Sequence, residues 1–482
     1  MAMTGLMTRK PIAEIISDIE HTGFSKSLGA LSITFIGIGC IIGAGIFVLT
    51  GTAAANNAGP AVVLSFALAG LACAFVGLCY SELAALLPVS GSTYTYTYAT
   101  LGELFAWIIG WDLILEYAMG AATVAVGWSG YFRSLLHNVG IDIPAQFASA
   151  PGTVAETLPD GTVIYGVVNL PAAAIIGLLT ILLIMGTKES ARLNNIMVVV
   201  KLAVVLAFIL VGVRYINADN WQPFIPNNSG DFGEFGWSGV MRAAGVVFFA
   251  FIGFDAVSTA AQEAKNPQRD LPIGILASLI ICTLLYIAVS AVMTGIVPYS
   301  QLGVADPIAK AVDITGLTWF SILIKVGALA GLTTVILVLL YGQSRIFFTI
   351  SKDGLLPPLF SQVHPTLRTP WKSQLIIGSV VAIVAALTPI ETLGHMVAIG
   401  TLFAFILVCG AVIYLRKSDA DVARPFRTPG VPFVPVLGIF FCLVLMVSLP
   451  LDTWLRLIIW LAIGMAIYFL YGRRHSVLMN RA

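Results

Sequence analysis

GIGCIIGAGIF, residues 37 to 47, lies inside an apolar run long enough to cross a lipid bilayer, with glycines at 37, 39, 43 and 45. Glycine at that density loosens a helix, and loosened backbone is tolerated at membrane depth only where protein or a cavity surrounds it. A soluble dinucleotide site also uses clustered glycines, but no strand-helix-strand unit flanks this segment. Gly39 and Gly43 form a G-x-x-x-G step that would let a second helix approach closely. Taken alone, the segment is equally compatible with close helix packing and with a break in the span.

The surrounding chain places this run in a membrane. Of 482 residues, 58% are hydrophobic and only 10% charged, too little polar surface to cover a soluble globule of this size. A formal net charge of +1 argues against a nucleic-acid partner, which calls for a clustered basic surface. The six cysteines all fall in apolar runs without a C-x-x-C pair or a neighbouring histidine, and read as small core residues. Residues 1–27 mix basic and acidic side chains without an apolar core, which predicts a cytoplasmic N-terminal segment and no cleaved signal peptide.

About twelve stretches have the length and hydropathy of a transmembrane helix. With the N-terminus inside, Lys188, Lys265, Lys352, Arg368, Arg416 and Arg473 collect on the cytoplasmic side, while Asp142, Glu156, Asp219 and Asp231 dominate the opposite loops. That asymmetry satisfies the positive-inside rule and predicts that both termini are cytoplasmic. The loops at about 132–169 and 214–237 are rich in Pro, Gly, Asn and Asp and read as irregular surface structure.

The sixth stretch repeats the anomaly of the first. GVVFFAFIGFDAVS, residues 245–258, sets Gly245, Gly253 and Asp255 in an apolar run five helices further on. Transporters built from inverted repeats place interrupted helices at corresponding positions, with substrate at the breaks. Backbone N–H groups after Gly43 would receive a carboxylate, and carbonyls after Phe248 would accept from an ammonium. A zwitterion held between those ends is an amino acid.

Ionisable residues within spans are costly and therefore candidates for function. Lys201, in VVVKLAVVLAF, lies too deep to reach an interface easily, and a lysine at that depth gains or loses its proton according to its surroundings. The competing reading is a permanent charge tied to helix-end carbonyls. Glu116, in GWDLILEYAMG, either sets the charge of a central cavity or serves in an internal ion pair. Asp112, one turn earlier, reads as its structural neighbour, and Glu82 as either a gate residue paired with a loop arginine or a solvated charge. The histidines show no metal-binding spacing, only His395 approaches a span end, and no HExxH, nucleophile elbow or P-loop is present. The sequence therefore implies no metal, no cofactor and no enzyme.

Five long motifs in order resemble the amino acid-polyamine-organocation superfamily, in particular bacterial members of its cationic amino acid transporter family. They are GIGCIIGAGIFVLTG (37–51), ELAALLPVSGSTYTYTYATLGELFAWIIGWDLILEY (82–117), GFDAVSTAAQEAKNPQRDLPIGI (253–275), YGQSRIFFTISKDGLLPPLF (341–360) and RPFRTPGVPFVPVLG (424–438). The resemblance implies an all-α multi-pass membrane protein with a LeuT-like fold of about twelve helices, spans one and six interrupted, working by alternating access. Its parts would be the N-terminal segment 1–27, a first five-helix repeat at 28–216, an inverted second repeat at 217–416, and two further helices with a short tail at 417–482. By position, the resemblance gives Ile42, Gly43, Ala44 and Gly45 to the substrate carboxylate, Phe249, Ala250 and Ile252 to its amino group, and Glu116 and Leu339 to its side chain. Lys201 matches the lysine that stands in proton-coupled relatives where sodium-dependent ones bind sodium, which makes proton symport the leading expectation.

Two departures bear on the substrate. Ala44 lacks the hydroxyl that many relatives offer to the carboxylate, and animal members tend to lack the Lys201 and Glu116 pair, so their preference for cationic amino acids does not transfer. Glu116 would attract arginine or lysine, whereas Leu339 would favour a small or apolar side chain. The expected partners are an amino acid, protons and the bilayer of the cytoplasmic membrane; a small single-span subunit on the lipid face would leave no mark in the sequence. Exchange of internal for external amino acid, and a membrane sensor that binds without moving its ligand, are the alternatives to symport.

Overall fold

The computed structural model describes residues 8–10, 28–87, 92–157, 161–186, 191–255, 257–258, 264–367 and 369–480. Lys188, Arg368 and most of the segment 1–27 lie outside them. Among the described residues, seven helices are long and apolar enough to cross a membrane and five more are apolar but shorter, at 10–17 residues. The one strand pair, Val154–Thr157 against Val163–Tyr165, is antiparallel and lies in the long 132–169 loop, which hydropathy alone reads as irregular.

The longest apolar run, Gly45–Leu86, is two legs rather than one helix. At Gly59 the backbone turns through φ +60°, a conformation open to glycine, and Pro60 starts the next leg. The first span is therefore Ala30–Ile41, a gap, and the leg 45–58; the second is Val62–Leu86. Elsewhere, helix starts follow local chemistry. Asn169 accepts from the N–H of Ala172 at 3.2 Å and Pro171 sits in the first turn, which fixes where Leu170–Ile184 begins.

Four pairings carry the bundle. Val62–Leu86 packs on Pro267–Ile296, Glu103–Asn138 on Thr318–Lys352, and Leu170–Ile184 on Trp371–Leu387, while the turn at Gly45–Leu49, just past the gap in the first span, meets the turn Phe248–Phe251 that follows Gly236–Val247. Small residues let the helices close up. A Cβ on Gly70 would come within 2.6 Å of Thr283, and one on Gly77 within 2.7 Å of Leu279. The last helix is pinned by two indoles that each donate to the other's backbone, Trp111 Nε1 to the Trp460 carbonyl at 2.8 Å and the reverse at 3.0 Å.

At the basic end, Glu82 lies almost fully buried and accepts two bonds from Arg416, at 2.8 and 2.9 Å, and one from the Thr428 N–H at 2.8 Å; Arg424 Nε stands 3.2 Å away. Glu82 is paired rather than solvated, its side-chain bonds coming from Arg416 in the last turn of Ile390–Ser418, with Arg424 of the following loop beside it. This ties the 419–432 loop to the second span. Glu82→Ala strands buried arginine charge, and the expected loss is about 3–5 kcal/mol of stability, read as lowered thermal unfolding in detergent.

At the opposite end, Pro307–Ile314 lies on the 45–58 leg, where a Cβ on Gly51 would fall 2.4 Å from Pro307. Lys325, fully buried, holds this helix through Asp313 at 2.8 Å and also donates to Asn138, the last residue of Glu103–Asn138, at 3.1 Å. Asp306, just before the helix, is pushed from its ordinary 3.8 to about 6 by burial, with Asp313 adding to the effect and Ser134, Lys325 and Arg133 opposing it. A carboxyl held above its ordinary value costs stability once pH passes that value, and the cost is complete above the shifted one. Amide-exchange protection of residues 307–314 is therefore expected to be greater near pH 4 than near pH 7, and Asp306→Asn removes the difference.

Candidate functional site

The first span stops at Ile41 because Ile42 turns extended, at φ −73° and ψ 98°; helix resumes at Gly45 in a π turn. The sixth runs Gly236–Val247, tightens to a 3-10 turn over Phe248–Phe251, and leaves helical geometry at Ile252, φ −60° and ψ 136°. Gly253 then takes φ +109° with the Cys40 carbonyl 2.8 Å from where its Cβ would be. The strained backbone and the close approach both require glycine there.

The two breaks touch. A Cβ on Gly45 would lie 2.2 Å from the Cα of Ala250, and the Tyr286 hydroxyl reaches the Ile41 carbonyl at 2.7 Å and the Ala250 carbonyl at 2.8 Å. Both sequence readings of the glycine run are realised together, since Gly39 also packs against Val198 and Gly43 against Val335. Tyr286 escaped the sequence reading because a tyrosine in an apolar span carries no signal of which carbonyl it meets.

A cavity of about 480 Å³ opens beside the breaks and runs along Thr318–Lys352 from Thr334 to Thr349, toward the basic end. Gly43, Ala44, Gly45, Glu116, Phe249, Ile252 and Leu339 line it, joined by Asp255. Ile42 and Ala250 stand behind the wall, Ile42 buried and Ala250 engaged with Gly45 and Tyr286. The Phe249 carbonyl is already taken by the Ile252 N–H at 3.2 Å. Cys40 lines the cavity as well, so it is more than a core residue.

Lys201 lies outside the cavity lining. Its ammonium donates to the Gly39 carbonyl at 2.9 Å, in the last turn of Ala30–Ile41, and its stem passes Gly331, where a Cβ would lie 3.1 Å from Cγ. Asp112 is fully buried, with no hydrogen-bond partner for either oxygen among the described residues; one oxygen lies 2.8 Å from the Cβ position of Gly400. Read from the sequence as a structural neighbour of Glu116, Asp112 is buried against the Gly400 backbone.

A second cavity, about 880 Å³, lies at the acidic end among Arg133, Glu156, Asp306 and Glu391. Between the two cavities the 45–58 leg is sealed to Glu103–Asn138. Tyr131 donates to the Phe47 carbonyl at 2.7 Å, and a Cβ on Gly127 would lie 2.3 Å from a Val48 methyl. Access to the breaks is thus from the basic end.

The sequence model of a family described as amino acid permease matches residues 28–468. The chain belongs to the amino acid permease family. The permease is similar to two proteins of Bacillus subtilis (strain 168). One, named branched-chain amino acid permease BcaP, is 50% identical over 98% of each chain. The other, named methylthioribose transporter, is 48% identical over 99% of this chain and all of that protein. A chloroplastic cationic amino acid transporter 9 of Arabidopsis thaliana is 36% identical over 94% of the permease and 88% of its own length. The permease is accordingly a multi-pass membrane transporter of amino acids and not an enzyme.

Proposed function

We propose that the permease carries an apolar amino acid into the cell together with a proton, by alternating access across the cytoplasmic membrane. The frame is a LeuT-like arrangement of twelve spans with both termini cytoplasmic, in which 28–216 and 217–416 are inverted halves and 417–482 is appended. The pairing of spans two with seven, three with eight and four with nine, together with the facing breaks of one and six, supports this repeat. The cavity opens at the basic end, so the conformation is inward-facing.

The observation that carries the reading is the meeting of two interrupted helices at one cavity wall. The substrate carboxylate takes the backbone N–H groups at Gly43, Ala44 and Gly45, and its ammonium is held on the Phe249, Ala250 and Ile252 side with Glu116 and Asp255 in reach. Leu339, Val335 and Val338 receive the side chain. That apolar wall, and the relative named for branched-chain amino acids, favour leucine-like substrates over arginine. Lys201 carries the coupling proton at the Gly39 carbonyl.

The test is uptake into proteoliposomes of labelled leucine, alanine, arginine, lysine and methylthioribose, with and without an inward proton gradient. Gradient-stimulated leucine uptake is expected. Stimulation only by preloaded substrate would replace symport by exchange, and selective methylthioribose uptake would replace the substrate class.

A further inference from the structure

The two Bacillus subtilis relatives differ by only two percentage points in identity to this chain, 50% against 48%, yet their names give substrates of different shape. Which substrate this chain accepts is therefore read from its own cavity wall. The cavity wall on Glu103–Asn138 is a single helical stripe, Glu116, Tyr117, Gly120 and Val124. Two glycines bear on the contact between this stripe and Thr318–Lys352, and they differ in what fills them.

Gly342 is occupied. A Cβ there would lie 2.6 Å from Cε1 of Tyr117, so the tyrosine ring already uses that space. Gly120 is open: only the terminal methyls of Leu339 come within 4 Å of its Cβ position, at 3.4 and 3.9 Å. It stands one turn beyond Glu116 on the same face, directly across from Leu339. Gly120 and Leu339 both line the cavity, so a side chain leaving the backbone cradle at Gly43 to Gly45 toward this helix pair ends against them.

We infer that Gly120, facing Leu339, sets the upper size of the substrate side chain the permease accepts. The inference rests on the amino acid reading above and adds to it a residue the sequence did not single out. Because a Cβ at 120 meets only flexible methyls at ordinary contact distance, Gly120→Ala is accommodated without backbone movement and removes about one methyl of room. Displacing a group of that size in an apolar pocket changes discrimination by roughly tenfold to a hundredfold.

Michaelis constants for alanine, valine and leucine would be measured with wild type, Gly120→Ala, and Gly120→Ala combined with Leu339→Ala. The single variant is expected to lose leucine by at least about tenfold relative to alanine. The double variant is expected to recover leucine, since the space lost on one helix returns on the other. A uniform change across the series, or a leucine loss that Leu339→Ala leaves untouched, overturns the inference. Should wild type carry only methylthioribose, the proposed substrate class fails. Gly120 is then still decided by whether Gly120→Ala weakens methylthioribose uptake, and an unchanged uptake overturns it.

Discussion

Lys201→Ala is expected to abolish concentrative uptake driven by a proton gradient while counterflow of labelled substrate across the same proteoliposomes persists. The Lys201 ammonium sits 2.9 Å from the Gly39 carbonyl, near the C-terminal end of Ala30–Ile41, where the helix dipole favours a positive charge. Protonated, the lysine holds this half-helix onto Ala191–Gly212 with a charge-assisted bond; neutral, it keeps only an ordinary one. Such an attraction is worth about 0.3–2 kcal/mol, enough to bias a two-state element but not to fold the bundle. Alanine removes the proton-dependent part and leaves the substrate cradle at Gly43 to Gly45 in place. Were Lys201 a fixed structural charge, uptake and counterflow would fall together and the dependence on external pH would be unchanged; that pattern would remove it from coupling.

Much of this architecture was legible because membrane depth penalises every polar group. Hydropathy alone located the apolar helices, and glycine density at 37–45 and 245–253 pointed to the two places where the backbone leaves helical geometry. Lys201 stood out for the same reason, as a charge where charge is costly, and its ammonium meets the Gly39 carbonyl near the end of the first half-helix. What stayed hidden depends on partners distant in sequence. Tyr286 joins two breaks that lie 209 residues apart, from Ile41 to Ala250, and no pattern along the chain encodes that meeting. Helical spacing made Asp112 a structural neighbour of Glu116, but could not show that its carboxyl faces the bare backbone of Gly400, a contact set by how two helices rotate about their axes. Gly120 looked like any glycine in an apolar helix, since its role lies in the space around it.

The two glycines at 43 and 45, only two residues apart in one glycine run, are expected to respond in opposite ways to the same methyl group. At Gly43 the nearest atoms to a Cβ would be the methyls of Val335, at 3.3 Å, and a valine can yield by a few tenths of an ångström. Gly43→Ala is therefore expected to bind and transport substrate close to wild type. At Gly45 the obstacle is backbone: a Cβ would lie 2.2 Å from the Cα and 2.8 Å from the amide nitrogen of Ala250. Ala250 cannot retreat freely, because its carbonyl is held at 2.8 Å by the same Tyr286 hydroxyl that reaches Ile41. Relief must come from parting the two breaks, at an overpacking cost of about 1–3 kcal/mol or more, and parting them separates the groups that hold the two ends of a zwitterion. Gly45→Ala is expected to remain monodisperse in detergent, since the pairings of the other helices are untouched, but to lose saturable leucine binding by isothermal calorimetry and uptake above background. Wild-type binding by a well-folded Gly45→Ala protein would mean that substrate is held elsewhere than at the meeting of the breaks.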